Sequence, residues 1–255
     1  MASVKSPGLI LKKIPFSDSS LILKVFTRES GLITLMAKGA KRQKSKFHGL
    51  LDFFTLDQFI YPEKSKTDIH ILMEAGLIRD FPRLKAHPAR QSLGHVFMEL
   101  YLKYMSEPEQ SHPHYELLVE RLEQLDEASG PGFDPVLHLC DFLLVLCALS
   151  GFSPQFTECV QCGRKAEGFR VRLDPDLGGP VCAACGGAGA GGVAFPGRLL
   201  RWLNRVQELG VRAGRLPREE EALAEAFLLS YLGKHAGGAR PMKTLDFYHQ
   251  MLGAP

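Results

Sequence analysis

A chain of 255 residues with 45% hydrophobic and 23% charged side chains has the composition of a soluble globular protein with room for one to three domains. Its formal charge of +3 hides an asymmetry: residues 1–66 carry twelve Lys and Arg against five Asp and Glu, a net of +7, and the remainder is −4, which predicts a basic module for polyanions joined to a neutral or acidic one. The opening MASVKSPG lacks the apolar run of a signal peptide, and the most apolar stretch, residues 136–151, is too short to span a bilayer and carries His138 and Asp141, so a cytoplasmic chain is expected, whose six cysteines are not disulfides.

Residues 8–14, 20–28, 31–38, 53–61 and 68–75 read as short strands rich in Ile, Leu, Phe and Thr. In the third, Ile33, Leu35 and Ala37 share one face and Thr34, Met36 and Lys38 the other. RESG, between the second and third, reads as a hairpin turn with Gly31 supplying the positive φ. Five strands in so short a span predict a small barrel or a strongly bent sheet.

Between the third and fourth strands lies AKGAKRQKSKFHG, residues 37–49, in which Lys38, Lys41, Arg42, Lys44 and Lys46 fall within nine residues with no acid among them. Many lysine-rich loops are only solvated surface. This one has Lys12, Lys13, Lys24 and Arg28 on the preceding strands and Phe16, Phe26 and Phe47 nearby. A cationic groove with aromatic faces is how small barrels hold single strands without reading their sequence.

From residue 81 onward the pattern becomes helical. Pro88, Pro113, Pro196 and Pro217 each precede a helical stretch, where the missing amide costs nothing. Residues 135–149 are apolar nearly all round, the mark of a buried helix. Residues 199–209 carry a Leu199/Leu203/Val206 stripe, and residues 217–235 a Leu223/Phe227/Tyr231 stripe with acids first and Gly233-Lys234-His235 last. GGAGAGG at 186–192 reads as a flexible connector. The expected organisation is α+β, with a five-stranded barrel domain at 1–80 and an all-α domain at 81–255.

CVQCG at 159–163 and CAACG at 182–186 form C-x2-C-x19-C-x2-C, the pattern of a four-thiolate metal site. Cys159, Cys162, Cys182 and Cys185 would complete a tetrahedral shell with no position left for water or substrate, so the ion is expected to be structural zinc within an insertion at about 157–195. Iron can occupy the same ligands. Cys140 and Cys147, on the apolar helix, read as core.

The pairing of HYE (114–116) with PVCAAC (180–185) offers a faint zinc-deaminase pattern, but its proline is not adjacent to Cys182 and Cys159 and Cys162 are left without a purpose. No Gly-rich phosphate loop or nucleophile elbow is present, so no enzyme is expected.

The strand pattern with VFTRESGLI, AKGAKRQKS and the late YLGKHAGGARPMKTLDFY resembles the RecO family of bacterial DNA repair and recombination mediators over nearly the whole chain. The resemblance implies an oligonucleotide-binding (OB) barrel, then a helical domain bearing the zinc module. It implies binding of single- and double-stranded DNA, annealing of complementary strands, and loading of RecA together with RecR onto DNA coated by single-strand-binding protein, whose acidic C-terminal tail docks on the helical domain. A cytoplasmic, nucleoid-associated place goes with those partners. DNA binding would fall on Lys38, Lys41, Arg42, Lys44 and Lys46, and the metal on the four cysteines. Two readings stand beside it: a zinc-dependent protein-interaction adaptor whose basic loop is incidental, and an RNA-binding OB protein.

Overall fold

The computed structural model describes residues 2–63, 68–104, 111–128, 133–166, 171–186, 194–238 and 241–253. In chain order it has β1 (Ser3–Pro15), β2 (Leu21–Thr27), β3 (Gly31–Ala37), β4 (Thr55–Pro62), β5 (Ile69–Ile71), β6 (Glu74–Asp80), α1 (Pro82–Ala86), α2 (Pro88–Tyr104), α3 (Ser111–Glu127) and α4 (Pro135–Leu149). Then follow β7 (Val171–Asp174), β8 (Gly179–Val181), α5 (Ala183–Gly186), β9 (Ala194–Phe195), α6 (Gly197–Leu209), α7 (Arg218–His235) and α8 (Lys243–Leu252). The connector expected at 186–192 falls, apart from Gly186, outside the described residues. Among those residues no helix is long and apolar enough to cross a membrane.

The chain forms two compact units, 1–130 with 242–255, and 131–241. The first holds a six-stranded sheet in the order β5-β3-β2-β1-β4-β6. Its first four strands overlap the segments expected from sequence, β1 starting five residues earlier, and Gly31 turns the β2–β3 hairpin with a φ of 63°. One face carries the core: Ile10, Leu23, Val25, Leu35, Phe59, Tyr61 and Leu72 pack together, joined by Phe47 and Leu51 from the loop after β3. On the opposite face Phe26 meets Tyr101 of α2 at 5.2 Å and Tyr115 of α3 at 5.9 Å. The helices after residue 80 therefore contribute to both units, and α2 and α3 pack on this sheet. The chain returns at α8, where the Thr244 amide and hydroxyl donate to Glu99 of α2 at 3.0 and 2.6 Å.

The sheet departs from the expected five-stranded barrel. It has six strands and an open ladder, because the segment expected as one strand over 68–75 breaks in two. β5 runs parallel to β3, and β6 antiparallel to β4. The break is at Leu72 and Met73: the Leu72 amide donates to Met36 O (3.0 Å), whereas the Met73 amide donates to Ile60 O (2.9 Å). Leu72 turns into the core at this point, and Ile71 and Met73 stay exposed.

The second unit is built on α4, which is buried along most of its length, Cys140 and Cys147 included. Asp134 caps α4 by accepting from the Val136 and Leu137 amides (3.1 and 3.2 Å), next to Pro135 in the first turn. α7 follows the sequence reading, with Glu219–Glu221 in its first turn and Lys234 and His235 in its last. Strands β8-β7-β9 form a small separate sheet that carries the second cysteine pair.

Candidate metal centre and nucleic-acid interface

The cysteine module is two turns held face to face. In the first, the Cys159 amide donates to Arg164 O (2.7 Å) and the Gly163 amide to Cys159 O (2.9 Å); Gly163 closes the turn with a φ of 70°, in the region that favours glycine. The flanking residues pair through an antiparallel bridge between Glu158 and Lys165, and the Ala166 amide donates to Thr157 O. In the second, α5 opens directly after β8, and the Cys185 and Gly186 amides both donate to Cys182 O (3.0 and 2.8 Å). Two main-chain bonds join the halves: Val160 N to Pro180 O (2.9 Å) and Gln155 N to Gly178 O (2.9 Å).

This brings all four sulfurs within 4.8 Å of one another, the only such group of potential metal ligands among the described residues. Cys162 and Cys182 Sγ lie 3.7 Å apart, close to the edge of about 3.8 Å that a tetrahedron with 2.3 Å metal–sulfur bonds would have. The electrostatics suit a cation. Burial opposes ionisation of Cys159, but main-chain amides of Cys182, Gln161 and Cys162 hold its thiol down to about 6; the Cys182 amide donates to its Sγ at 3.3 Å. The Cys185 amide likewise lowers Cys182, while the neighbouring sulfurs of Cys162 and Cys182 push Cys185 up to about 12. Four thiolates this close repel unless a positive ion sits among them, so the cluster is compatible with a zinc ion. His114 and Glu116 do not join it: Glu116 pairs with Arg28 at 2.8 Å, and the carbonyl of buried His114 accepts from Tyr101.

The basic run leaves β3 at Ala37 and folds into consecutive tight turns. Arg42 N donates to Gly39 O, Ser45 N to Arg42 O and His48 N to Ser45 O, all within 3.1 Å. Two attachments fix it. Phe47 is only 3% exposed and plugs the sheet core, and the Lys41 amide donates to Ser19 O (2.9 Å) at the β1–β2 tip, where Lys41 Nζ also donates to Ser17 O (3.0 Å). That tip carries Phe16, 59% exposed, beside the loop. Of the three phenylalanines singled out in the sequence, Phe26 and Phe47 are therefore core, and Phe16 is the one whose ring is open to a base.

The cations sort the same way. Lys12, Lys38, Arg42 and Lys44 are exposed and make no ion pair among the described residues. Lys13 is engaged: its Nζ donates to Asp52 Oδ1 (3.0 Å) and Leu51 O (3.3 Å) and lies 4.3 Å from the centre of the Phe53 ring. Lys24, opposite Lys12 in the ladder, donates to Thr34 Oγ1 (2.7 Å), Arg28 pairs with Glu116, and Lys46 donates to Met73 O while lying over Phe47. The sequence reading passes over one group, Lys165, Arg201 and Arg205, which meet at a groove in the second unit. The only sequence signal for it is the four-residue spacing of the two arginines.

Residues 1–81 match the family described as "Recombination protein O N terminal", and residues 87–245 "Recombination protein O C terminal". A protein named DNA repair protein RecO from Desulfatibacillum aliphaticivorans is 31% identical, covering 98% of this chain and 100% of the relative. Proteins of the same name from Anaeromyxobacter sp. (strain K) and Myxococcus xanthus (strain DK1622) are 28% and 30% identical, over 100% and 96% of both partners. The chain belongs to the recombination protein O family, with a role in DNA repair and recombination.

Proposed function

We propose that the protein is a non-catalytic recombination mediator that binds single- and double-stranded DNA, anneals complementary strands, and assists RecA loading together with RecR in the cytoplasm, at the nucleoid. Its DNA surface is the loop at Lys38–Lys46 on an OB-type sheet, with Lys12 on β1 free of ion pairs among the described residues, in a domain that ends near residue 81, where the first family match stops. Lys13, Lys24 and, at the far end of β2, Arg28 are engaged by Asp52, Thr34 and Glu116 and add positive field without a free contact. The observation that carries this reading is the cation loop clamped beside the exposed Phe16: phosphates meet Lys38, Arg42 and Lys44, and a base can stack on the ring. Neutralising phosphates on two strands lowers their repulsion and leaves base pairing to choose the partner. Four thiolates hold a structural zinc that fixes the two turns of the module and supplies no open coordination position. The helical region takes the acidic tail of single-strand-binding protein.

A titration of labelled single strand, duplex and RNA at two salt concentrations tests the reading. Binding to both DNA forms that weakens steeply with salt, and annealing without ATP, are expected. Salt-independent binding, or none, removes it in favour of a protein-contact adaptor; a preference for RNA moves the substrate to that polymer.

A further inference from the structure

We propose that the groove between the cysteine module and α6 holds a second nucleic-acid backbone, so that each compact unit of the chain carries its own polyanion surface; this rests on the DNA-binding reading above. The groove encloses about 520 Å3. Phe156 and Leu200 form its floor, Lys165 and Glu158 stand on the module side, and Arg201 and Arg205 on the helix side.

Three features point to a polyanion. Four cations of the unit pair with carboxylates, Arg172 with Asp174, Arg198 with Glu220, Arg215 with Asp134 and Lys234 with Asp176, while Arg164, Arg212 and Arg218 have no such partner among the described residues but do not line the groove. Lys165, Arg201 and Arg205 are exposed and have no such partner among the described residues. Second, Arg201 and Arg205 stand one turn apart on one face of α6, about 6 Å along the axis, a spacing at which like charges repel unless a ligand lies across them. Third, the floor is closed: Phe156 is 3% and Leu200 2% exposed. A ligand above that floor meets a rim of Lys165, Arg201 and Arg205 against the single acid Glu158. A repeating phosphate chain suits that rim, and phosphate contacts without base readout suit a surface that must accept any strand. In annealing, one strand occupies the loop of the first unit and the other strand the groove of the second.

The test uses the whole chain and a labelled ten-nucleotide strand without self-complementarity. Wild type should bind two strands per chain at low salt. Lys165→Gln/Arg201→Gln/Arg205→Gln should bind one, melt normally and anneal complementary strands more slowly. With three contacts at a slope of about 0.7 each, the groove site should weaken about twentyfold for a fourfold rise in salt, and the variant should lose that response. Arg201→Lys/Arg205→Lys, which keeps the charge, should retain two strands, and Glu158→Gln should tighten the groove site by removing repulsion. Wild type that binds a single strand per chain, or a normally folded triple variant that still binds two and anneals at the wild-type rate, overturns the inference and leaves the loop reading standing. Binding of a short acidic peptide to the groove without any strand there overturns it as well. Failure of wild type to bind any oligonucleotide removes both readings.

Discussion

Lys13 and the Lys38–Lys44 cluster are all cations of the same module, yet the structure assigns them opposite consequences on substitution. Lys38→Gln/Arg42→Gln/Lys44→Gln removes three charges that are exposed and unpaired among the described residues. If each touches one phosphate, the slope of log affinity against log salt should flatten by about 2 for single strands and about 2.7 for duplex. Folding should change by no more than about 0.5 kcal/mol, since none of the three side chains is buried. Lys13→Gln instead removes a cation already matched by Asp52 at 3.0 Å and seated over Phe53. Its loss should cost about 1 kcal/mol of stability, the range of a partly exposed pair with its hydrogen bonds, and leave the salt slope where it was. The assay is fluorescence titration of labelled strands at several salt concentrations, with circular dichroism melts alongside. A slope loss in Lys13→Gln as large as in the triple variant, or an unchanged slope in a normally melting triple variant, refutes the division of the cations into free and engaged.

Phe16→Ala should weaken single-strand binding by about 1–3 kcal/mol while duplex binding and melting stay put, because its ring is exposed. Phe47→Ala should do the reverse, costing about 3–5 kcal/mol of stability and loosening the loop that the ring anchors, as read by denaturant melts and limited proteolysis. Metal analysis should find one tetrahedrally bound ion per chain, and chelation or Cys159→Ser should raise thiol reactivity and hydrogen exchange over the two cysteine turns with the first unit's sheet still folded; four freely reacting thiols in untreated protein would contradict the site. Burial pushes the Asp57 carboxyl up to about 6, its Oδ1 having no partner among the described residues. The folded state therefore holds a proton that the unfolded chain has released, and stability should fall as pH rises from about 4 to about 6. Burial likewise pushes Glu221 up to about 7, so Asp57→Asn should remove the part of the fall below about pH 6 and leave the part that Glu221 contributes, and melting curves at pH 5 and pH 8 that decline equally in both proteins would show that Asp57 is not a source.

Much of this protein was legible before any coordinates. Short runs rich in Ile, Leu, Phe and Thr placed β1 to β4, and in β4 buried and half-buried positions alternate with the side-chain period of a strand. Prolines and terminal charges marked the helix starts and ends, and the C-x2-C spacing announced the thiolate cluster, because two sulfurs three residues apart reach one point through local backbone geometry alone. Density of charge marked the loop at 38–46. What remained for the tertiary structure is every property set by a partner far along the chain. Lys13 meets Asp52 across 39 residues, and Arg28 meets Glu116 from another element, so no local pattern could tell an engaged cation from a free one. Phe26 and Phe47 are buried by residues of other elements, and Phe16, at a hairpin tip, is left exposed. The split at Leu72 arises where two strands compete for one segment's hydrogen bonds, and the groove beside α6 exists only because the module lies against that helix. Periodicity records which side of an element is apolar; which groups meet there depends on the free energy of the whole packed unit.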